Sequence, residues 1–240
     1  MEILLLLVGT ILFCWLFQHP IRKAPWVFYL LAIALDILLL VNTYLSLPRW
    51  LMHITSVLMQ KGGLGVAMFV LVMWIGVFPR NGRLSKTFRP IRAELSIIAC
   101  ILIAGHMVLY LSAYLPRILS GATVKPFVLS SFIIACILLV LVLVLGLTSF
   151  RFVKRHMAAK RWKHLQSAAY LFYGLVLVHL LLMLIPSALA GNTRSIEAVI
   201  IYGVVFGGYI IARIIRAIVD KREKVNIAST VMDQGFVAES

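Results

Sequence analysis

The chain has 240 residues, 62% of them hydrophobic and 13% charged, with a mean hydropathy of +1.04. Soluble domains average roughly 45–50% apolar and about 25% charged residues, so this is the composition of an integral membrane protein. The formal net charge of +15 does not indicate nucleic acid, because the basic residues gather in short loops between apolar runs, as the positive-inside rule requires.

A membrane-spanning helix needs roughly 20 apolar residues. Seven segments qualify or nearly so: 2–18, 26–47, 63–79, 95–115, 127–150, 165–188 and 196–219. They predict an all-α, polytopic helix bundle. The first run, Ile3–Phe17, comes before Arg22 and Lys23, the reverse of the order in a cleaved signal peptide, and is read as a retained helix. Between the second and third spans, 48–62 (PRWLMHITSVLMQKG) sets Leu51, Ile54, Val57 and Leu58 on one helical face. This segment is expected to lie along the outer surface. Pro79, Pro116, Pro126 and Pro186 fall at or near expected helix ends, where proline is tolerated. Residues 225–240 are polar and expected to be a disordered tail. No internal repeat is visible.

All of the 23 Lys and Arg except Arg49, Lys61, Arg117, Lys125 and Arg194 fall on one side of this arrangement. That side is expected to be cytoplasmic, with the N-terminus outside and the C-terminus inside, in the inner (plasma) membrane. Cys14, Cys100 and Cys136 all lie in apolar runs without CxxC spacing, which argues against disulfides and zinc.

Two histidines lie deep in spans. His106 is eleven residues past the start of the fourth, about 16 Å in, and His179 is fourteen past the start of the sixth, about 21 Å in, at 1.5 Å per residue. Ionisable groups at such depth mark functional sites by default. Two imidazoles at similar depth on helices running the same way are the arrangement that grips a haem iron from both sides. Interhelical hydrogen bonding is the plainer role for a lone histidine. Ala99, Gly105, Ala113 and Gly174 offer room nearby, and with no CxxCH present a haem would be noncovalent, of b type. Asp36, about 15 Å into the second span by the same rise, is open to two readings. It is either a partner of a ligand histidine or a protonated acid bonded to Asn42 or a carbonyl.

These residues sit in a pattern that resembles the ferric reductase-like transmembrane family, most similar to the haem-binding membrane subunits of bacterial methionine sulfoxide reductase systems. The likeness covers RAELSIIACILIAGHMVLY at 92–110, LTS at 147–149 and KRWKHLQSAAYLFYGLVLVH at 160–179. It divides the chain into N-terminal helices with the outer segment (1–61), a haem-binding core (62–190), a final span (191–224) and the tail. The resemblance implies that His106 and His179 are the outer haem ligands; Tyr110 and Tyr173 are candidates for the haem rim, with core packing as their plainer role. Family members with two haems carry a second histidine near the inner end of each ligand helix. Here Arg92 and Ala93 stand at those places on one helix and Gln166 on the other, with His164 two residues earlier. Arg92 cannot ligate iron, because its guanidinium stays protonated. His164 is about 60° from the direction of His179 on an ideal helix, and its plainer role is contact with lipid headgroups. One haem b is therefore expected, two at most.

The implied activity is that of a membrane b-type cytochrome, the electron-transfer part of an oxidoreductase, delivering electrons to an outer-face acceptor or partner reductase. No dinucleotide fingerprint is present, so electrons would come from a donor protein, a quinol or a bound flavin. Arg92, Lys163, His164 and Gln166 form the candidate inner site for FMN or a quinone. Two rival readings stand beside it: a small transporter, and an anchoring or assembly subunit without haem.

Overall fold

The computed structural model describes residues 2–45, 48–79 and 81–238. The end of the second expected span at 46–47, Arg80 of the second basic loop and the last two residues of the tail lie outside them. Eleven α-helices follow in order: α1 (Glu2–Leu16), α2 (Gln18–Lys23), α3 (Pro25–Tyr44), α4 (Arg49–Thr55), α5 (Gly63–Ile75), α6 (Arg83–Phe88), α7 (Arg92–Leu119), α8 (Pro126–Ser149), α9 (Arg151–Arg155), α10 (Ala159–Leu189) and α11 (Thr193–Ala238). Among the described residues there is no strand.

Among the described residues, six stretches are helical, long and apolar enough to cross a membrane: Pro25–Thr43, Arg49–Ile75, Arg83–Leu119, Pro126–Ser149, Ala159–Leu189 and Thr193–Glu223. The protein is a multi-pass membrane protein. The first expected span corresponds to α1, which is apolar but only 15 residues long.

Local chemistry sets the boundaries. Pro25 and Pro126 open α3 and α8, where a missing N–H costs nothing because no intrahelical acceptor exists for it. Pro116 and Pro186, expected at or near helix ends, each lie in the last turn of their helix. α7 and α10 then stop at Gly121 and Gly191, whose φ values of 73° and 84° suit only a residue without a Cβ.

α5 is the central post. Every residue from Gly65 to Met73 is buried, and a helix apolar all round belongs inside a bundle. It packs against α1 and α7, while its Phe69 ring meets Phe172 of α10 edge-on at 4.8 Å. α7 also packs against α3 and α8, and α10 against α8 and α11.

Two expectations change. The outer segment forms α4 and a π-helical stretch, Ser56–Gln60, packed against α3, α5 and α7. It packs inward through Thr55 and Met59, while Ile54 and Val57 of its apolar face are exposed. Thr55 turns inward because its hydroxyl accepts a hydrogen bond from Asn42 of α3. The expected disordered tail is helical backbone as far as Ala238. No proline or glycine lies between Gly208 and Gly235, so α11 propagates through this stretch without a break.

Candidate functional site

α7 turns one face to α5. Leu95, Ala99, Leu102 and Ile103 are buried along it, and His106 continues the stripe one turn further. There it meets the start of α5. A Cβ on Gly62 would fall 2.8 Å from Ile103 Cδ1 and 3.3 Å from His106 Cγ, so the bare backbone of Gly62, at φ 66°, lets the chain turn over the imidazole. Tyr110 also lies against the ring, the two centroids 4.7 Å apart.

α10 presents a matching stripe. Phe172 and Val176 are buried, and His179 follows at the same helical spacing. Ser131 of α8 holds its imidazole: Nδ1 lies 2.8 Å from the Ser131 hydroxyl and 3.1 Å from the Ser131 carbonyl. In the tautomer that donates from Nδ1 to that carbonyl, Nε2 keeps its lone pair. That is the arrangement ligating histidines adopt, with the far N–H committed to a carbonyl or carboxylate.

Depth can be compared through α5, which runs opposite to both helices. Gly62 faces His106, and Phe69 faces Phe172. Seven residues back from Phe69 reach Gly62, and seven forward from Phe172 reach His179, the same rise of about 10 Å. Along α5 the two imidazoles stand level. Along α8, where Cys100 meets the Val142 carbonyl and Ser131 meets His179, the same rise puts them about 8 Å apart in depth.

The other expected residues have different surroundings. Arg92 donates from Nε to the Val72 carbonyl at 3.1 Å, capping the C-terminal turn of α5. Gln166 donates to Thr148 Oγ1 at 2.9 Å, and Trp162 to the Thr148 carbonyl at 3.0 Å, so the inner ends of α8 and α10 are tied together. Lys163 and His164 are exposed. The hydrogen bonds of Arg92 and Gln166 thus lead to different neighbours.

Gly105 does not leave room for a ligand, since the Asp36 carboxylate is seated against it. Asn42 donates to Thr55 at 3.0 Å and not to Asp36, which lies six residues away and about 120° round the helix. Gly174 faces open space and Ala99 is fully packed.

Three residues escaped the reading of the sequence. Ser131 was visible as half of a serine pair at the head of an otherwise apolar helix. Gly62 was visible only as a glycine before an apolar run. Glu94 is 5% exposed, and its Oε1 accepts from Arg151 at 2.8 Å. Among the described residues, no three His, Cys, Asp or Glu side chains come together as a metal site.

The chain is similar to an uncharacterized protein of Treponema pallidum (strain Nichols), with 36% identity over 182 residues. The match covers 75% of this chain and 50% of that protein, so the chain spans about half the length of the relative it matches. No family model matches the sequence, and no solved structure does.

Proposed function

We propose that this protein is a membrane b-type cytochrome of the ferric reductase-like kind, binding one haem between His106 and His179. The observation that carries the reading is the Ser131 clamp on His179 Nδ1, which in the tautomer protonated at Nδ1 leaves Nε2 to serve as an axial donor. The stripe of α7 that faces α5 ends in His106, and the buried Phe172 and Val176 of α10 lead to His179, which adds a second support. When bound, such a haem supplies one-electron chemistry with no open coordination position for a substrate. The residues of the chain would then hold, orient and insulate it: His106 and His179 as ligands, Tyr110 and Gly62 as its walls, and α5 as the packing that excludes water.

In this reading α1 is a seventh crossing, the N-terminus lies outside, and the basic end of the bundle faces the cytoplasm at the inner membrane. Electrons pass from a donor protein, a quinol or a flavin to an acceptor at the outer face. The test is a reduced-minus-oxidised spectrum of purified protein with quantitative haem extraction. A b-type spectrum at about one haem per chain is expected for a single bis-histidine site.

The reading without haem draws on the same clamp, because the Ser131 bond satisfies the His179 ring in an apolar setting without any metal. Purified protein with no Soret band after expression in haem-replete cells would favour it.

A further inference from the structure

A cavity of about 390 Å³ opens at the basic end of the bundle, where α2 meets α3, α7 begins and α8 gives way to α9. Arg22, Lys23 and Arg151 bring positive charge to its wall, and Glu94 brings one carboxylate. Tyr29, Ile97 and Phe152 supply apolar surface, and Phe152 is 65% exposed at the rim. Glu94 decides what this cavity takes. Its side chain is buried, one oxygen accepts from Arg151, and the other, Oε2, is buried with no hydrogen-bond partner among the described residues. A buried carboxylate oxygen left without a donor costs free energy, so a ligand that brings one is favoured.

We propose that this cavity binds the headgroup of a phospholipid carrying a primary amine, phosphatidylethanolamine. The phosphate sits among Arg22, Lys23 and Arg151, and the ammonium donates to Glu94 Oε2. The three cations alone would suit any anionic lipid. The unpaired oxygen adds a requirement for an N–H donor bearing positive charge, because charge-assisted hydrogen bonds are about twice as strong as neutral ones. A choline headgroup has no N–H, and a glycerol headgroup offers only neutral hydroxyls. The exposed aromatic rim at the end of membrane-spanning helices gives the acyl chains a surface to follow, which a soluble phosphoamine does not need. This site does not depend on the haem reading, since it touches neither His106 nor His179.

Native mass spectrometry of the full-length protein in detergent tests it, with dioleoyl phosphatidylethanolamine, phosphatidylglycerol and phosphatidylcholine titrated separately. One ethanolamine lipid should be retained roughly tenfold more tightly than the choline lipid, the worth of one charge-assisted hydrogen bond. Glu94→Gln should abolish that preference, and Arg22→Ala with Lys23→Ala should weaken all three lipids. Lys125→Ala, at the opposite end, should change nothing. Equal retention of ethanolamine and choline lipids, tighter retention of the glycerol lipid, or an undiminished preference in Glu94→Gln would each overturn the proposal. Displacement by tail-less glycerophosphoethanolamine would overturn it too, by showing a soluble ligand. Should Glu94→Gln fail to fold, ranking ethanolamine lipids bearing zero, one, two and three N-methyl groups on the unaltered chain still decides. Retention should fall most at the third methyl, where the last N–H is lost.

Discussion

Asp36 of α3 is seated where a side chain on Gly105 of α7 would have to be. The contact explains how an acidic residue deep in one span comes to lie against the residue beside His106. Gly105→Ala should therefore be destabilising, by about 1–3 kcal/mol for an overpacked core site. Gly174→Ala, with open space around it, should leave the melting temperature close to that of the parent. Thermal unfolding in detergent, followed by circular dichroism, compares the two.

Removing either ligand should be decisive for the cytochrome reading. His106→Ala and His179→Ala are each expected to abolish the low-spin haem spectrum, because one remaining imidazole cannot hold a six-coordinate iron. Ser131→Ala keeps the carbonyl partner but removes the hydroxyl, so haem should be retained with affinity lowered roughly tenfold. A haem-transfer assay to apomyoglobin measures it.

His164 is exposed at the basic end of α10. His164→Ala should leave the spectrum and haem content unchanged. A drop from two haems per chain to one would instead reveal an inner site built around this residue.

Gly62→Ala combines two penalties. A left-handed backbone conformation costs a residue with a Cβ about 1–2 kcal/mol. The new methyl would also press on Ile103 and His106. Lower stability is expected together with a perturbed haem spectrum, whereas Gly203→Ala, which meets nothing within 4 Å, should alter neither.

Thr148 ties α8 to α10 by accepting from Gln166 while it donates to the Val144 carbonyl at 2.7 Å. Thr148→Val preserves the shape and strands the Gln166 amide, at a cost of about 1 kcal/mol. A double-mutant cycle with Gln166→Leu should recover most of that loss.

Hydropathy alone located the spans, because in a membrane every crossing must be apolar and helical. The helices α3, α8, α10 and α11 fall within a few residues of their expected places until α11 runs on. The two histidines were equally visible, since a polar ring in an apolar run stands out whatever the fold. The helix faces were not. Lipid and protein interior are alike apolar, so the sequence of a span does not show which side packs. For that reason the apolar face of Leu51, Ile54, Val57 and Leu58 did not show that the outer segment packs inward through Thr55 and Met59. The same ambiguity hid the partners of Arg92, Gln166 and Asp36, each of which sits on a helix distant in sequence. Glu94 was concealed differently: it opens α7 in a basic stretch, where a lone acid looks like surface charge.

α7 and α10 end in the same way, with a proline, then a glycine five positions on, and backbone bonds from Ala122 to Arg117 and from Asn192 to Ser187. Main-chain atoms close both corners, so the neighbouring side chains are free to vary. An epitope grafted just after Gly121 or Gly191 should be displayed without loosening the helices. Since α7 and α10 run in the same direction, antibodies applied to intact cells should stain both grafts or neither.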